Sequence, residues 1–238
     1  MPLSPTSLRA VARLAVLIGG VVAFVVVSNA LASAAEDAPA EAPTSRAAAP
    51  QDPCPIGLTC DAVTFVDEFG RWHRYGTVNA AGASEVFYYG NPGDIPFAGD
   101  WDCDGTTTPG LYRQSDGFAY LRNSNTEGIA DIEFFFGNPD DIPLVGDFDG
   151  DGCDTLSLYR RSEARVYIID RLGDDGGGLG TADYFFTYGN PGDIPFVGDF
   201  DGDGVDSIGL FRESTAQVYL RNDLSSGPAD SEFVYGDP

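Results

Sequence analysis

GNPGDIPFVGDFDGDG, residues 189–204, is the stretch that decides the fold, because nearly the same 16 residues occur at two earlier places in the chain. The copies begin at Gly90, Gly137 and Gly189, and the first residues of a fourth copy follow at Gly236. Successive copies are separated by 47, 52 and 47 residues. A repeat of this length is typical of a propeller blade of about four strands. The repeat therefore predicts an all-β propeller with about four blades.

Each repeat contains four apolar segments, and the short links between them favour antiparallel neighbours. In the last copy these segments read IPFVGDF, IGLFR, VYLRN and EFVYG. Aromatic residues recur on one face of the fourth segment, and we expect them in the core between blades: Phe87, Tyr89, Phe134, Phe136, Phe186, Tyr188, Phe233 and Tyr235. The register divides the repeat domain, residues 54–238, into copies that span approximately 44–89, 90–136, 137–188 and 189–235.

The Asn-Pro-Gly-Asp tetrad that opens each copy predicts a tight turn. Proline presets the backbone at the first central position, and glycine supplies the positive φ that a type II turn needs at the second. In the middle copy Asp140 replaces this glycine, and we expect a type I turn there.

The N-terminal part of the chain differs from the repeats. An apolar run over residues 14–27 follows two arginines and precedes small residues, which is the layout of a secretory signal peptide over residues 1–32. The alternative is an uncleaved membrane anchor, although the run is shorter than the span of about 20 residues that a bilayer requires. Residues 33–53 are rich in Ala and Pro and predict a disordered linker.

The spacing of the repeats leaves the closure of the ring open. Either the C-terminal EFVYG strand meets the N-terminal segment and completes a ring, or the array pairs with another chain through its ends. A monomer and an end-to-end dimer are therefore both compatible with the sequence.

The charge of the chain restricts its partners. The net charge is −24, with 37 acidic residues against 13 basic ones. Nucleic-acid binding requires Lys and Arg to neutralise phosphates, so this charge excludes nucleic acid as a partner. Much of the acid lies inside the repeated loops, which favours cation binding. The alternative is that the acidity only aids solubility.

Three Asp loops carry the candidate chemistry, and we name them the first (residues 100–107), second (147–154) and third (199–206) Asp loops. Calcium takes six to eight oxygen ligands, and carboxylates at positions 1, 3 and 5 of a tight loop can reach one centre. The alternative is an Asp- and Gly-rich hairpin without a metal. The predicted structural calcium ligands are Asp147, Asp149, Asp151 and Asp154 in the second loop, Asp199, Asp201, Asp203 and Asp206 in the third, and, more weakly, Asp100, Asp102 and Asp104 in the first.

The four cysteines of an exported chain predict two disulfides. The register places residues 53–61 where the first repeat should have its own Asp loop, and Cys54 and Cys60 lie near the ends of that stretch. We therefore expect a Cys54–Cys60 bridge in place of a metal and a Cys103–Cys153 bridge between neighbouring blades. A Cys60–Cys103 bridge is the alternative.

The GDFDGDG-x-D loop followed by an apolar strand resembles the FG-GAP/VCBS-type repeats of integrin-alpha-like β-propellers. The resemblance is strongest to bacterial secreted repeats with GNPGDIPVVGDWDGDG-type cores, and it covers about residues 50–238. It implies a non-catalytic calcium-binding module of the kind attached to extracellular enzymes or adhesins. Two features depart from the family. Its loops usually carry an acid at position 9, where this chain has Thr155 and Ser207, and its propellers commonly have seven blades.

The sequence contains little that an enzyme would use. The single histidine, His73, aligns with strand tyrosines of the other repeats, and neither a nucleophile elbow nor a usual zinc set is present. A carboxylate pair for glycoside hydrolysis is the less favoured alternative.

Two kinds of binding module stay open. A module for carbohydrate or cell wall would use Trp72, Tyr75 and Trp101 as stacking residues, although the same residues can serve the core. A protein-interaction or adhesion module would use the repeated arginines to meet acidic partners, although each can instead pair with an Asp of its own or an adjacent blade: Arg113, Arg160 and Arg212.

Overall fold

The computed structural model describes residues 11–18, 21–25, 63–75, 85–172 and 181–236. Antiparallel sheets are arranged in a ring as a four-bladed β-propeller, mostly with four strands in each blade. This confirms the predicted fold class, an all-β propeller of about four blades.

The strands follow the repeats. A hairpin of β1 (Val11–Ile18) and β2 (Val21–Val25) precedes the first blade, which comprises β3 (Val63–Val66), β4 (Arg71–Tyr75) and β5 (Glu85–Tyr88). The second blade comprises β6 (Ile95–Gly99), β7 (Thr108–Arg113), β8 (Phe118–Leu121) and β9 (Ile132–Phe135). The third comprises β10 (Ile142–Gly146), β11 (Thr155–Arg160), β12 (Arg165–Ile168) and β13 (Tyr184–Thr187). The fourth comprises β14 (Ile194–Asp199), β15 (Ser207–Arg212), β16 (Gln217–Arg221) and β17 (Ser231–Val234), with a 3₁₀ turn at Glu213–Thr215.

The second, third and fourth blades, which we call the complete blades, are each an antiparallel meander of four strands from an inner strand to an outer edge strand. The inner strands β6, β10 and β14 contact their neighbours around the ring, and β2 contacts β6. The second strands β7 and β11 are buried along almost their whole length because they have blades on both faces. The loop between the first and second strands of each complete blade is an Asp loop, so the fold presents all three at equivalent positions.

The ring is closed through inner strands. β1 pairs with β14, and β2 pairs with β3, so the fourth and first blades share one continuous sheet of nine strands. Among the described strands β17 pairs only with β16, so the first of the two alternatives, closure through the C-terminal strand, is not observed. The hairpin lies in the segment predicted to be a signal peptide, and cleavage of that segment stays a prediction.

Two sequence predictions fall on residues that the structure does not describe: the linker over residues 33–53 and the Cys54–Cys60 bridge. Among the described residues, no helix has the length and apolar character needed to cross a membrane.

The aromatic residues of the outer strands form the core between blades in three of the four repeats. Phe87, Phe134 and Phe186 are 7%, 0% and 6% exposed, and the aromatic residue two positions after each is also buried. In the fourth blade the equivalent Phe233 and Tyr235 are 47% and 71% exposed. The prediction of core packing is therefore confirmed for three repeats and wrong for the fourth, where no described residue covers these rings.

The tetrad turn has the same backbone in the three blades that contain it. Gly93 and Gly192 have φ values of 94° and 97°, and Asp140 adopts a φ of 72° at the equivalent position. Asp tolerates this left-handed region better than most residues do. The predicted type I turn at Asp140 is therefore wrong, because the repeat imposes the left-handed conformation on the residue that replaces glycine.

A buried ion pair connects this turn to the second strand of the same blade, and we call it the arginine clamp. In the third blade the Arg160 Nε and one terminal nitrogen donate to the two oxygens of Asp141 at 2.8 and 2.7 Å. The guanidinium carbon also lies 4.6 Å from the ring centroid of Tyr167, and Asp141 is 1% exposed. The same three residue types form the clamp in the second and fourth blades: Asp94, Arg113 and Tyr120, and Asp193, Arg212 and Tyr219. The repeated arginines thus bind carboxylates of their own blades.

Candidate metal centres

Each Asp loop brings three carboxylates together. In each group one ligand oxygen from every residue lies within 4.8 Å of the other two. The groups, which we call Asp triads, are Asp100, Asp102 and Asp104; Asp147, Asp149 and Asp151; and Asp199, Asp201 and Asp203. The first residue of each triad is at least partly buried, and the other two are exposed. A hard cation could enter from solvent and contact all three carboxylates.

Backbone N–H groups hold the triads in shape. In the second loop Asp147 accepts hydrogen bonds from the backbone nitrogens of Gly150, Asp151 and Gly152 at 2.7, 3.1 and 2.9 Å. In the third loop Asp199 accepts the equivalent three bonds from Gly202, Asp203 and Gly204 at 2.7, 3.2 and 3.1 Å. The two loops therefore present the same geometry, as the equal spacing of their Asp residues predicts.

The first loop is built differently. Cys103 has a φ of 62° at the position where the other loops have Gly150 and Gly202 with φ values of 77° and 81°. Asp100 accepts from the nitrogens of Asp104 and Gly105 at 3.1 and 2.8 Å. The triad still forms around a residue for which this backbone conformation is unfavourable. The first loop therefore holds its three carboxylates on a backbone that is more strained than the backbones of the second and third loops.

Asp154 and Asp206, the predicted fourth ligands, bond to the preceding Asp loops, and their role as metal ligands stays a prediction. Asp154 accepts a hydrogen bond from the backbone nitrogen of Asp100 at 2.7 Å, and its own nitrogen donates to the Asp100 carbonyl at 2.9 Å. Asp206 makes the equivalent pair of bonds with Asp147 at 3.0 and 2.7 Å. Both side chains are buried and neither belongs to a triad. The structure thus places these residues between blades, where each attaches its loop to the preceding one.

The Cys103–Cys153 disulfide joins the first and second loops as predicted. Its sulfurs are 2.05 Å apart, its Cα atoms are 4.8 Å apart, and the two cysteines are separated by 50 residues in sequence. The Cys60–Cys103 alternative is excluded. A structural disulfide is typical of proteins that mature in an oxidising compartment.

Burial and neighbouring negative charges raise the pKa values of the first Asp residue in the first and second Asp loops. Burial raises the pKa of Asp147, and the nearby carboxylates of Asp151 and Asp149 raise that pKa further, while bonds from Gly152 and Gly150 lower it. Burial likewise raises the pKa of Asp100, with a smaller contribution from neighbouring carboxylates. The ionised forms of Asp147 and Asp100 are therefore held at an electrostatic cost, which a bound divalent cation would offset.

The predicted stacking residues divide between core and surface. Trp72 and Trp101 are 1% and 4% exposed, and their ring nitrogens donate to the carbonyls of Tyr89 and Pro109 at 3.0 and 3.3 Å. Their rings therefore serve the core and are not open to a ligand. Tyr75 is partly exposed and packs edge to face against Phe65 at a centroid distance of 5.8 Å.

A cleft between the outer strands of the second and third blades is a feature that the sequence did not predict. It has a volume of about 350 Å³, and Phe135, Tyr167 and Phe185 are among its lining residues. Phe135 and Phe185 are 39% and 61% exposed, and Arg165 lies over the Phe185 ring at 5.0 Å. The sequence gives only a weak signal for this cleft. The outward-facing residues just before the tetrad differ in chemistry from repeat to repeat.

A scan against protein-family models and searches of curated proteins and solved structures found no match to this chain. The resemblance to FG-GAP/VCBS repeats therefore stays a prediction that rests on the residues of the repeat itself.

Proposed function

We propose that this protein is a secreted, non-catalytic propeller in which calcium orders the Asp loops, and that it serves binding or scaffolding outside the cell. The observation that supports the calcium assignment is the recurrence of an Asp triad at the same position in three successive blades. A chance cluster of exposed acids has no reason to repeat with the fold. The cation would be structural, because it would offset carboxylate repulsion at the junctions between blades.

The donor set favours calcium over other divalent ions. All triad donors are hard carboxylate oxygens, and the loops also contain backbone carbonyls that can enlarge the coordination shell. Calcium accepts six to eight oxygens in flexible geometry, whereas magnesium requires a nearly ideal octahedron and retains its waters. Zinc and copper sites normally include nitrogen or sulfur ligands. The triads contain neither.

Calorimetric titration with calcium tests this assignment. We expect at least two sites per chain, from the second and third loops, with dissociation constants of about 10⁻⁴–10⁻³ M, the range of extracellular calcium modules. The Asp201→Asn, Asp203→Asn double variant should remove one site, because two of three carboxylates in the third triad lose their charge. A heat signal that magnesium reproduces equally well would contradict a calcium site.

The control for this titration is Asp223→Asn. The Asp223 side chain is 79% exposed and lies outside the triads, so the change removes one negative charge without altering a proposed ligand. The stoichiometry should stay that of the unmodified chain. If Asp223→Asn lowers binding as much as the triad variant does, calcium responds to net charge and not to the loops.

A carbohydrate or cell-wall ligand is favoured by the cleft between the second and third blades. Exposed aromatic faces beside polar groups are the usual composition of sugar sites, and the cleft combines Phe135 and Phe185 with the polar end of Tyr167. The alternative, a protein partner recognised by the repeated arginines, is less favoured because the clamps already use those side chains.

A pull-down with insoluble cell-wall polysaccharide distinguishes these two kinds of ligand. We expect retention of the unmodified chain and at least a tenfold loss of retention for Phe185→Ala, because stacking area at the cleft is removed. The matched control is Phe69→Ala, which removes a 63% exposed ring from a turn in the first blade. Equal retention of both variants, or binding only to a protein fraction, would contradict a glycan site in the cleft.

A further inference from the structure

The aromatic cleft between the second and third blades continues into a second, more polar pocket. That pocket has a volume of about 590 Å³ and is lined by the tetrad turn of the third blade, by the turn that follows β11 and by Gln114 of the second blade. Asn138, Asp141 and Arg160 line both spaces. We call the combined space the junction groove, with an aromatic end and a polar end. Each end is large enough for a small-molecule unit, for which pockets of about 300–1,000 Å³ are usual.

The aromatic end departs from the repeat. Phe185 is paired with the clamp residue Tyr167 across β12 and β13. The clamp tyrosines of the second and fourth blades are paired with Glu133 and Glu232 instead. Phe135 of the second blade supplies the other exposed ring of this end. The three complete blades share one fold, so the repeat itself does not require a ring where Phe185 lies.

Asp140 is the corresponding departure at the polar end. With a φ of 72°, it occupies the turn position at which the second and fourth blades have Gly93 and Gly192. Glycine adopts this left-handed backbone at no steric cost and Asp does so less readily, so the turn itself does not need the carboxylate. Asp140 is exposed, and no described residue forms a hydrogen bond or an ion pair with its carboxylate. An unfavourable backbone conformation that holds an unused acceptor points to a ligand.

The charges of the groove favour a neutral ligand that carries hydroxyl groups. Arg160 donates two hydrogen bonds to Asp141 and a third to the hydroxyl of Tyr167. Arg161 donates to a backbone carbonyl of the fourth blade's tetrad turn at 2.6 Å. Among the described residues that line the groove, Asp140 is therefore the charged group without a partner. Its charge and the net charge of −24 would repel an acidic ligand, whereas a hydroxyl group can donate to the carboxylate.

We propose that the junction groove binds a neutral oligosaccharide across more than one sugar ring, and that Asp140 determines which sugar occupies the polar end. One ring stacks on Phe135 and Phe185, and the oligosaccharide continues past Arg160 to Asp140, which accepts hydrogen bonds from the hydroxyl groups of a second ring. This inference rests on the proposed glycan-binding function of the aromatic cleft and extends it to the polar end of the groove.

A glycan array probed with the purified full chain in calcium tests the length and the charge of the ligand. The array carries neutral oligosaccharides, the monosaccharides from which they are built, and oligosaccharides of uronic acids. We expect retention on neutral oligosaccharides and at least about tenfold weaker retention on the monosaccharides, which cannot reach both ends of the groove. An array on which no neutral oligosaccharide is retained, or on which a monosaccharide or a uronic-acid oligosaccharide is retained equally well, would overturn the proposal.

The Asp140→Gly variant isolates the polar end. Glycine suits the left-handed backbone, so the melting temperature should not fall, while affinity for the retained oligosaccharide should drop at least about tenfold, the loss expected for one charged hydrogen bond. The matched control is Asp140→Gly combined with Gly93→Asp. It keeps the net charge and moves the carboxylate to the second blade's turn, where a Cβ meets no atom within 4 Å. This control should bind as weakly as Asp140→Gly alone.

Phe185→Ala separates this inference from the function on which it rests. We expect calorimetric titration with the retained oligosaccharide to show weaker binding for both Phe185→Ala and Asp140→Gly. If only Phe185→Ala weakens binding, the aromatic cleft binds a glycan without the polar end, and this inference alone is overturned. If neither variant weakens binding, the glycan lies outside the groove, and the proposed glycan site in the cleft fails together with this inference.

Discussion

Replacing Arg160 with Ala is expected to lower the free energy of unfolding by about 3 kcal/mol, because the change leaves the carboxylate of Asp141 buried without its cation. The Asp141 side chain is 2% exposed and receives both guanidinium bonds of the clamp, whereas the Arg160 side chain is 19% exposed. Removal of one partner of a buried pair costs about 3–5 kcal/mol, and the partial exposure of Arg160 favours the lower end of that range.

Urea denaturation of two further variants separates the clamp from a general loss of charge. Arg165→Ala removes an arginine from the same blade whose partner Glu163 is 41% exposed, and pairs of this kind contribute under about 1 kcal/mol. Arg160→Lys retains the charge but loses the bidentate geometry and the stacking on Tyr167, so its stability should lie between the two alanine variants. Equal stability of Arg160→Ala and Arg165→Ala would show that the clamp does not support the blade.

Loss of the Cys103–Cys153 disulfide is expected to lower the free energy of unfolding by about 2–4 kcal/mol. The bridge closes a loop with a sequence separation of 50 residues, and a cross-link of this length restricts the unfolded chain strongly. The measurement is urea denaturation of the Cys103→Ser, Cys153→Ser variant. Calcium binding in the first loop should weaken as well, because the bridge holds Asp100 beside Asp154.

A second pair of substitutions distinguishes the cross-link from the backbone conformation of Cys103. Gly202 of the third loop is equivalent to Cys103 of the first loop, and Val205 of the third loop is equivalent to Cys153 of the second. Cys103→Gly with Cys153→Val also removes the bridge but relieves the left-handed backbone at residue 103, so it should be more stable than the double serine variant by about 1 kcal/mol. If the double serine variant matches the unmodified chain, the disulfide is not a stabilising element.

Much of the fold could be predicted from the repeat, because its period specifies both the strands and their order. The segments IPFVGDF, IGLFR, VYLRN and EFVYG overlap β14, β15, β16 and β17, and the positions of Cys103 and Cys153 in successive loops favoured their bridge. These features depend on local spacing and on neighbouring copies of one unit. Local spacing also located the three triads.

The sequence is least informative about residues that make contacts between blades. Asp154 and Asp206 follow the triads in sequence at a distance that fits a metal shell, but each bonds to the loop of the preceding blade. Spacing along the chain cannot separate these two roles, because both place the carboxylate near an Asp loop. The sequence left both a stacking role and a core role open for Trp72 and Trp101, and the bonds of their ring nitrogens to the carbonyls of Tyr89 and Pro109 favour the core.

The way in which the ring closes could not be predicted from the sequence either. The apolar run near the N-terminus fits a signal peptide by composition, yet in the full chain Val11–Ile18 and Val21–Val25 pair with the fourth and first blades. Apolar runs of this length suit an export signal and a buried strand equally well, and periodicity alone does not separate them.

The measurement that tests the central proposal most directly is a thermal melt in calcium, in magnesium and in chelator. At about 5 mM calcium, sites with dissociation constants of about 10⁻⁴–10⁻³ M should each add about 1–2 kcal/mol, so the midpoint should rise by several degrees. Magnesium at the same concentration should produce a smaller rise, and the Asp201→Asn, Asp203→Asn variant should lose part of the calcium effect. A midpoint that is the same in calcium and in chelator would contradict a calcium-ordered propeller.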